Sequence, residues 1–342
     1  MEKRIGSTEA LRNKCTSRTI WRIATVYHNS TILYFYSLNC LLVEVLMAST
    51  EAIEMGAAVI CSQIEDSLKM KRGCIIGRNG TIELSALLYY RKHGKFFIDH
   101  LPTLERNAGV FPLEGPVLKR WADEYLEANR ICEIIAAGWY KPLEKQELEF
   151  LAAENKGAYS SVPLRSLEPY YVDKEKRWTR LLAGRKVCVV SSFTDTIEKQ
   201  LEQRHMIWGS DTESLLPTTA QFSFVKTGYA PVLAQGSGEW NSCSTWKEAV
   251  DQVEATILRY NAEIVLIGCG GLGFPLAQRL KKAGKVVIVL GGAIQVLFGI
   301  KGERWRNHSV ISRFWNSHWV YPSIHETPNG AKAVENACYW KS

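Results

Sequence analysis

The chain reads as an α/β protein built on a Rossmann-like, mostly parallel sheet with helices on both faces. Three observations predict this. Short apolar runs alternate along the chain with helical patterns of amphipathic spacing, the order that builds parallel sheets from β-helix-β units. Glycine- or serine-rich turns follow several of the apolar runs. No internal repeat, low-complexity tract or Gly/Ser linker divides the 342 residues, and 46% hydrophobic with 23% charged residues is an ordinary globular composition.

Taken in order, the spacing predicts a helix over 52–70, a short strand over 73–77 and a helix over 83–94 that closes on Gly94. An amphipathic helix over 115–130 leads into an apolar strand over 131–139, followed by a helix over 143–155. A strand over 158–167 closes this half near Pro169. The chain restarts with a strand, a Ser-Ser turn and a helix over 184–203. A polar, glycine-rich stretch over 208–244 precedes a helix over 245–260. Residues 262–302 then read as strand, glycine turn, helix, strand and second glycine turn. The domain expectation is a single α/β unit over 51–342, with lobes of about 51–182 and 183–342, behind an N-terminal helical extension over 1–50.

That extension is both basic and apolar. Residues 1–30 hold six basic side chains (Lys3, Arg4, Arg12, Lys14, Arg18 and Arg22) against Glu2 and Glu9, so more than half of the net +7 charge sits there. The rest of the chain shows no basic run, which argues against a nucleic-acid partner. The apolar run 31–48 approaches the length of a membrane span, but Asn39 and Glu44 lie inside it. A membrane anchor, a buried or partner-facing helix and a loosely packed extension all remain open. The expected location is cytoplasmic, with membrane association through 31–48 as an added option. Nine cysteines with no CxxC pair and no zinc-like spacing read as small buried residues of a reducing compartment.

In a parallel sheet, ligands sit at the carboxyl ends of strands, so three turns carry the chemistry. Gly268, Gly270 and Gly273 fit GxGxxG after a strand and before a helix, with Gly271 between them, and would offer helix N-terminal amides to a phosphate. The following strand ends in Gly291 and Gly292 with no acid for a ribose, which weakens a dinucleotide reading. Ser191, Ser192 and Phe193 form the second turn, where hydroxyls and amides would converge on an anion. The third is 78–83, in which Arg78 ends a strand and Glu83 lies in the first helical turn, placed to act as a base, to orient a hydroxyl or to complement the helix dipole. Asp195 and Glu326 are further candidates for a base. The C-terminal stretch adds aromatics interspersed with Lys301, Arg304, Arg306 and Arg313, while His308, His318 and His325 have no metal-ligand spacing.

Taken together, the segments RNGTIEL, NAGVFP, LRSLEPYY, KVCVVSSFTDTI, LIGCGGLGFPLA, LGGAIQVLFGIKGERW and ETPNGAKAVENACYW resemble a group of proteins from surface-polysaccharide gene clusters. That group is similar to glycosyltransferases of the GT-D fold, and the likeness spans roughly 70–342. It implies a nucleotide-sugar donor and a glycan acceptor. Arg78, Gly80 and Glu83 match the motif RxGDxE, whose Asp and Glu serve a metal–diphosphate site; Thr81 replaces the Asp, so a Mn²⁺ or Mg²⁺ requirement stays open. On this reading the donor lies over Ser191–Phe193 and Gly268–Gly273, Gly291–Gln295 borders the site, and Glu83 and Arg78 carry the chemistry. An NAD- or ATP-binding enzyme and a non-catalytic transferase-like module are the alternatives.

Overall fold

The computed structural model describes residues 49–155, 159–240 and 242–341. Residues 1–48, which include the apolar run 31–48 and all but the last two residues of the expected extension, lie outside them. The core is a seven-stranded, all-parallel sheet: β1 (Cys74–Gly77), β2 (Ile134–Ile135), β3 (Ser160–Ser161), β4 (Lys186–Ser191), β5 (Gln221–Lys226), β6 (Ile264–Gly268) and β7 (Val286–Val289). Their spatial order is β3-β2-β1-β7-β6-β4-β5. Both expected lobes contribute to this one sheet, joined where β1 pairs with β7 through Cys74–Val286 to Gly77–Val289.

The longer helices are α1 (Thr50–Lys69), α2 (Thr81–His93), α3 (Gly115–Arg130), α4 (Glu144–Asn155), α5 (Thr194–Glu202), α6 (Trp246–Tyr260) and α7 (Gly273–Lys282). The period-2 alternation of the strands decides which face each residue serves. Ile76, Val187, Val189, Leu266 and Ile288 pack on one face with Ile60 and Ile64 of α1 and with Ile197 and Leu201 of α5. Ile75, Cys188, Val190, Ile267 and Val287 point the other way, onto α2, α3, α4, α6 and α7. The C-terminal segment, through Trp305, Trp319 and Trp340, completes the first face. Among the described residues no helix is long and apolar enough to cross a membrane.

Three elements differ from their sequence reading; the strand expected over 131–139 is only Ile134–Ile135. The strand expected over 158–167 shrinks to Ser160–Ser161; Pro163 supplies no N–H to a ladder and instead precedes a short helix, Leu164–Leu167. The stretch 208–244 contains β5, which pairs with β4 along its whole length. β5 is the sheet edge, so most of its residues are only half covered and its apolar signal is diluted by Gln221, Ser223 and Lys226.

The topology also says where a ligand belongs. The chain leaves β4 toward the β5 edge, but leaves β6 toward β7 and the middle of the sheet. Connections that diverge from two adjacent strands open a crevice at their carboxyl ends. Here the divergence falls between β4 and β6, which are hydrogen-bonded neighbours up to Ser191 and Gly268.

Candidate functional site

A cleft of about 310 Å³ opens at this crevice. Its floor holds Ser192 and Phe193 after β4, Gly268, Cys269 and Gly270 after β6, and Gly291 and Gly292 after β7. Arg78, Gly80 and Glu83 line it from the end of β1, so all three sequence-selected turns meet in one place. Four selected residues stand behind the lining. Ser191 is fully buried and its Oγ accepts from the Phe193 amide at 3.2 Å, a turn cap. Gly271 donates to the Ala108 carbonyl at 2.7 Å and accepts from Trp121 Nε1 at 2.8 Å. Gly273 packs on Val289, and Gln295 is buried with its Nε2 on the Tyr339 carbonyl at 3.0 Å.

The glycine fingerprint turns out to serve the protein's own packing. Gly270 has φ +56°, and a Cβ there would meet the Ala108 carbonyl oxygen at 2.7 Å. A Cβ at Gly271 would meet Val110 Cγ2 at 2.7 Å, and one at Gly268 would meet Ile294 Cγ2 at 2.7 Å. The space against Gly270–Gly271 that a dinucleotide pyrophosphate occupies in a Rossmann site is thus filled by residues 108–110.

The N-terminus of α5 is taken as well. Glu326 is buried, and its Oε1 accepts from the Asp195 and Thr196 amides at 2.8 and 3.1 Å. Its Oε2 accepts from the Thr196 hydroxyl and, at 3.1 Å, from the Ser323 hydroxyl. A carboxylate holding these donors is a helix cap supplied from a distant part of the chain, and has no free lone pair for base catalysis. Asp195, the other fallback, is exposed and ion-paired with Lys226.

Three arginines line the cleft: Arg106, whose Nε donates to Asn107 Oδ1 at 3.1 Å, and two that meet adjacent glycines. A side chain at Gly291 would collide with Arg78 Nη2, and a Cβ at Gly292 would lie 3.6 Å from Arg304 Nη1. Consecutive Cα atoms are 3.8 Å apart, so two guanidiniums flank one peptide unit. Arg78 lies over the Trp139 ring at 5.1 Å, with its Nε 3.4 Å from the Leu290 carbonyl. Among the described residues it has no ion-pair partner. Arg304 lies 4.6 Å from the Tyr339 ring centre and pairs with Glu335 at 3.2 Å. Behind Trp139, buried Glu147 accepts from the Gly138 amide at 2.9 Å and from Asn79 Nδ2 at 3.0 Å, which fixes the loop carrying the ring.

Two carboxyls face this charge. Glu83 is folded back so closely on Gly80 that any Cβ there would strike it, and burial raises its pKa against the lowering pull of its own amide and of Arg78. Glu168 also lines the cleft, and burial pushes it up to about 7 although Arg78 and Arg165 pull it down. Sequence reasoning missed Glu168. It lies in LRSLEPYY, beside Pro169, with no helix or glycine turn to mark it, and only the fold brings it to Arg78.

The residues do not fit a divalent metal. Thr81 occupies the motif's acidic position, the remaining acid Glu83 is buried against Gly80, and no group of three metal-binding side chains stands together among the described residues. No known protein family, curated protein or solved structure matches this chain.

Two stability measurements check these assignments. Gly270→Ala should lower the unfolding free energy in urea by about 2 kcal/mol, from the positive φ and the Ala108 contact; an unchanged midpoint would mean that the 108–110 loop is not seated there. Glu326→Ala should cost about 3 kcal/mol, because several buried donors lose their acceptor at once. A cost within 0.5 kcal/mol, roughly the scatter of surface substitutions, would show the cap to be dispensable.

Proposed function

We propose that the chain is a glycosyltransferase that moves a sugar from a nucleoside-diphosphate donor to an acceptor hydroxyl. The observation that carries this reading is the pair of guanidiniums of Arg78 and Arg304 at adjacent glycines Gly291 and Gly292, faced by a carboxyl that titrates near neutrality. Two planar cations at that spacing suit the two charged groups of a diphosphate. Aromatic faces from Trp139 and Tyr339 back the cations and leave ring surface for a base or a sugar.

In the proposed reaction the Glu168 carboxylate accepts the proton of the acceptor hydroxyl as its oxygen bonds to the anomeric carbon. The bond from that carbon to the diphosphate oxygen breaks, and its electron pair leaves with the nucleoside diphosphate. Arg78 and Arg304 stabilise the charge gathered on the leaving group, an electrostatic contribution made largest in the transition state. One base and one displacement invert the anomeric configuration. Glu83 keeps its proton to higher pH than an ordinary carboxyl and forms the wall beside Tyr125. The base role considered for it passes to Glu168, which burial raises to about 7 and which is less enclosed. The step needs no metal, in keeping with Thr81.

A donor panel of UDP-, GDP-, dTDP- and CMP-sugars, with NAD and ATP as controls and EDTA present, tests the reading through slow donor hydrolysis. Turnover of one diphosphate donor is expected, exceeding that of the monophosphate-linked CMP-sugars. Its rate should rise with pH through about 7 as Glu168 ionises, and Glu168→Gln should lose about a hundredfold. Turnover in Glu168→Gln equal to wild type would remove the base; a response to NAD or ATP alone would replace the transferase reading.

A further inference from the structure

A second cavity, of about 580 Å³, lies beside the first, over the carboxyl end of the edge strand β5. The two share Ser192, Thr227, Gly228, Tyr229 and Trp240. Within this shared wall Gly228 packs directly on the backbone of Trp240: a Cβ at Gly228 would meet the Trp240 amide nitrogen at 2.6 Å. The second cavity thus adjoins the first along these five residues, away from Arg78 and Arg304, which line the first and not the second.

The chemistry of its walls is distinctive for what its charges already do. Lys226 is ion-paired with Asp195. Glu326 is occupied as the α5 cap. Glu239 accepts from the Gly236 amide at 2.9 Å. Apart from the imidazole of His325 and the second carboxylate oxygen of Glu239, the polar groups on its walls are neutral: Gln252 and Thr256 on successive turns of α6, with Thr256 Oγ1 donating to the Gln252 carbonyl and accepting from Arg259 Nη2, then Thr227, Ser192, and the half-buried rings of Trp240 and Tyr229. Neutral hydrogen-bonding groups around aromatic faces match a molecule with hydroxyls on its edges and C–H groups on its faces. Among the described lining residues the permanent cation is Lys226, held by Asp195, while Arg259 stands outside the lining on Thr256 Oγ1. A volume of this size lies in the range of small-molecule sites.

We infer that this second cavity is a binding subsite for an uncharged oligosaccharide, the acceptor of the reaction, with its terminal hydroxyl directed past Trp240 into the first cleft. The acceptor role rests on the transferase reading, whereas the binding of a neutral glycan does not. Binding of the full-length protein to immobilised neutral oligosaccharides of hexoses and N-acetylhexosamines, alongside sulfated and sialylated counterparts, tests it. At least one neutral glycan should be bound in preference to its anionic counterparts. Gln252→Trp and Thr256→Trp, which fill the cavity from α6, should weaken that binding more than tenfold. Leu258→Trp, about 200° round the same helix from Thr256 and already 42% exposed, should not, and unchanged melting temperatures would confirm that all three variants are folded. Preference for anionic glycans, absence of glycan binding, or binding that survives both blocking substitutions would overturn the inference. Glycan binding without hydrolysis of any nucleotide-sugar would keep the subsite and remove the transferase.

Discussion

The cleft is organised by the contact between the Arg78 guanidinium and the bare backbone of Gly291. Arg78 leaves the end of β1 and Gly291 follows β7, so this contact joins the two strands at which the halves of the sheet meet. A side chain at residue 291 would be strained by its φ of +58° and would push the Arg78 guanidinium from its place. With Trp139 beneath and Leu290 beside it, the cation is oriented without being neutralised. Its field reaches Glu83, Glu147, Glu168 and Tyr339, and in each it opposes the effect of burial. A cation so held, and unpaired among the described residues, is preorganised for an anion, which is the condition for strong electrostatic stabilisation in a partly desolvated site.

The sheet was largely legible in the sequence because its central strands are buried on both faces and read as unbroken apolar runs: CIIG, KVCVVS, IVLIG and VVIV. Legibility fell at the two edges. There β3 is two exposed serines and β5 alternates with polar residues, so pairing rather than hydrophobicity defines them. The turns after the strands were also legible, and the fold gathers Arg78, Gly80, Glu83, Ser192, Phe193 and four of the glycines around one cleft. What could not be read was which groups are already spent. Glu326 stands far from α5 in sequence yet caps it, and Ala108 covers Gly270; both are long-range contacts with no local signature. Glu168 was invisible for the same reason, since its pKa depends on burial and on an arginine ninety residues away.

A glycine fingerprint is commonly read as a phosphate cradle, but glycine marks close approach of any kind. In this chain the approach at Gly268, Gly270 and Gly271 is by Ile294, Ala108 and Val110, while the approach at Gly291 and Gly292 is by side chains that line the cleft. The proposed anion site accordingly lies at the β7 turn instead of the β6 turn. It stays at the carboxyl edge, where the divergence of connections at β4 and β6 opens the crevice. The second cavity lies on the outer side of the same edge, over β5.

The most direct test of this account is calorimetric titration of UDP, GDP, dTDP and CDP, with the matching monophosphates, into wild type, Arg78→Met and Arg304→Met in metal-free buffer. The account predicts that one diphosphate binds without metal, that its monophosphate binds at least tenfold more weakly, and that each arginine substitution weakens the diphosphate at least tenfold. Equal binding in all three proteins, binding only when a divalent metal is added, or no binding of any diphosphate would contradict it.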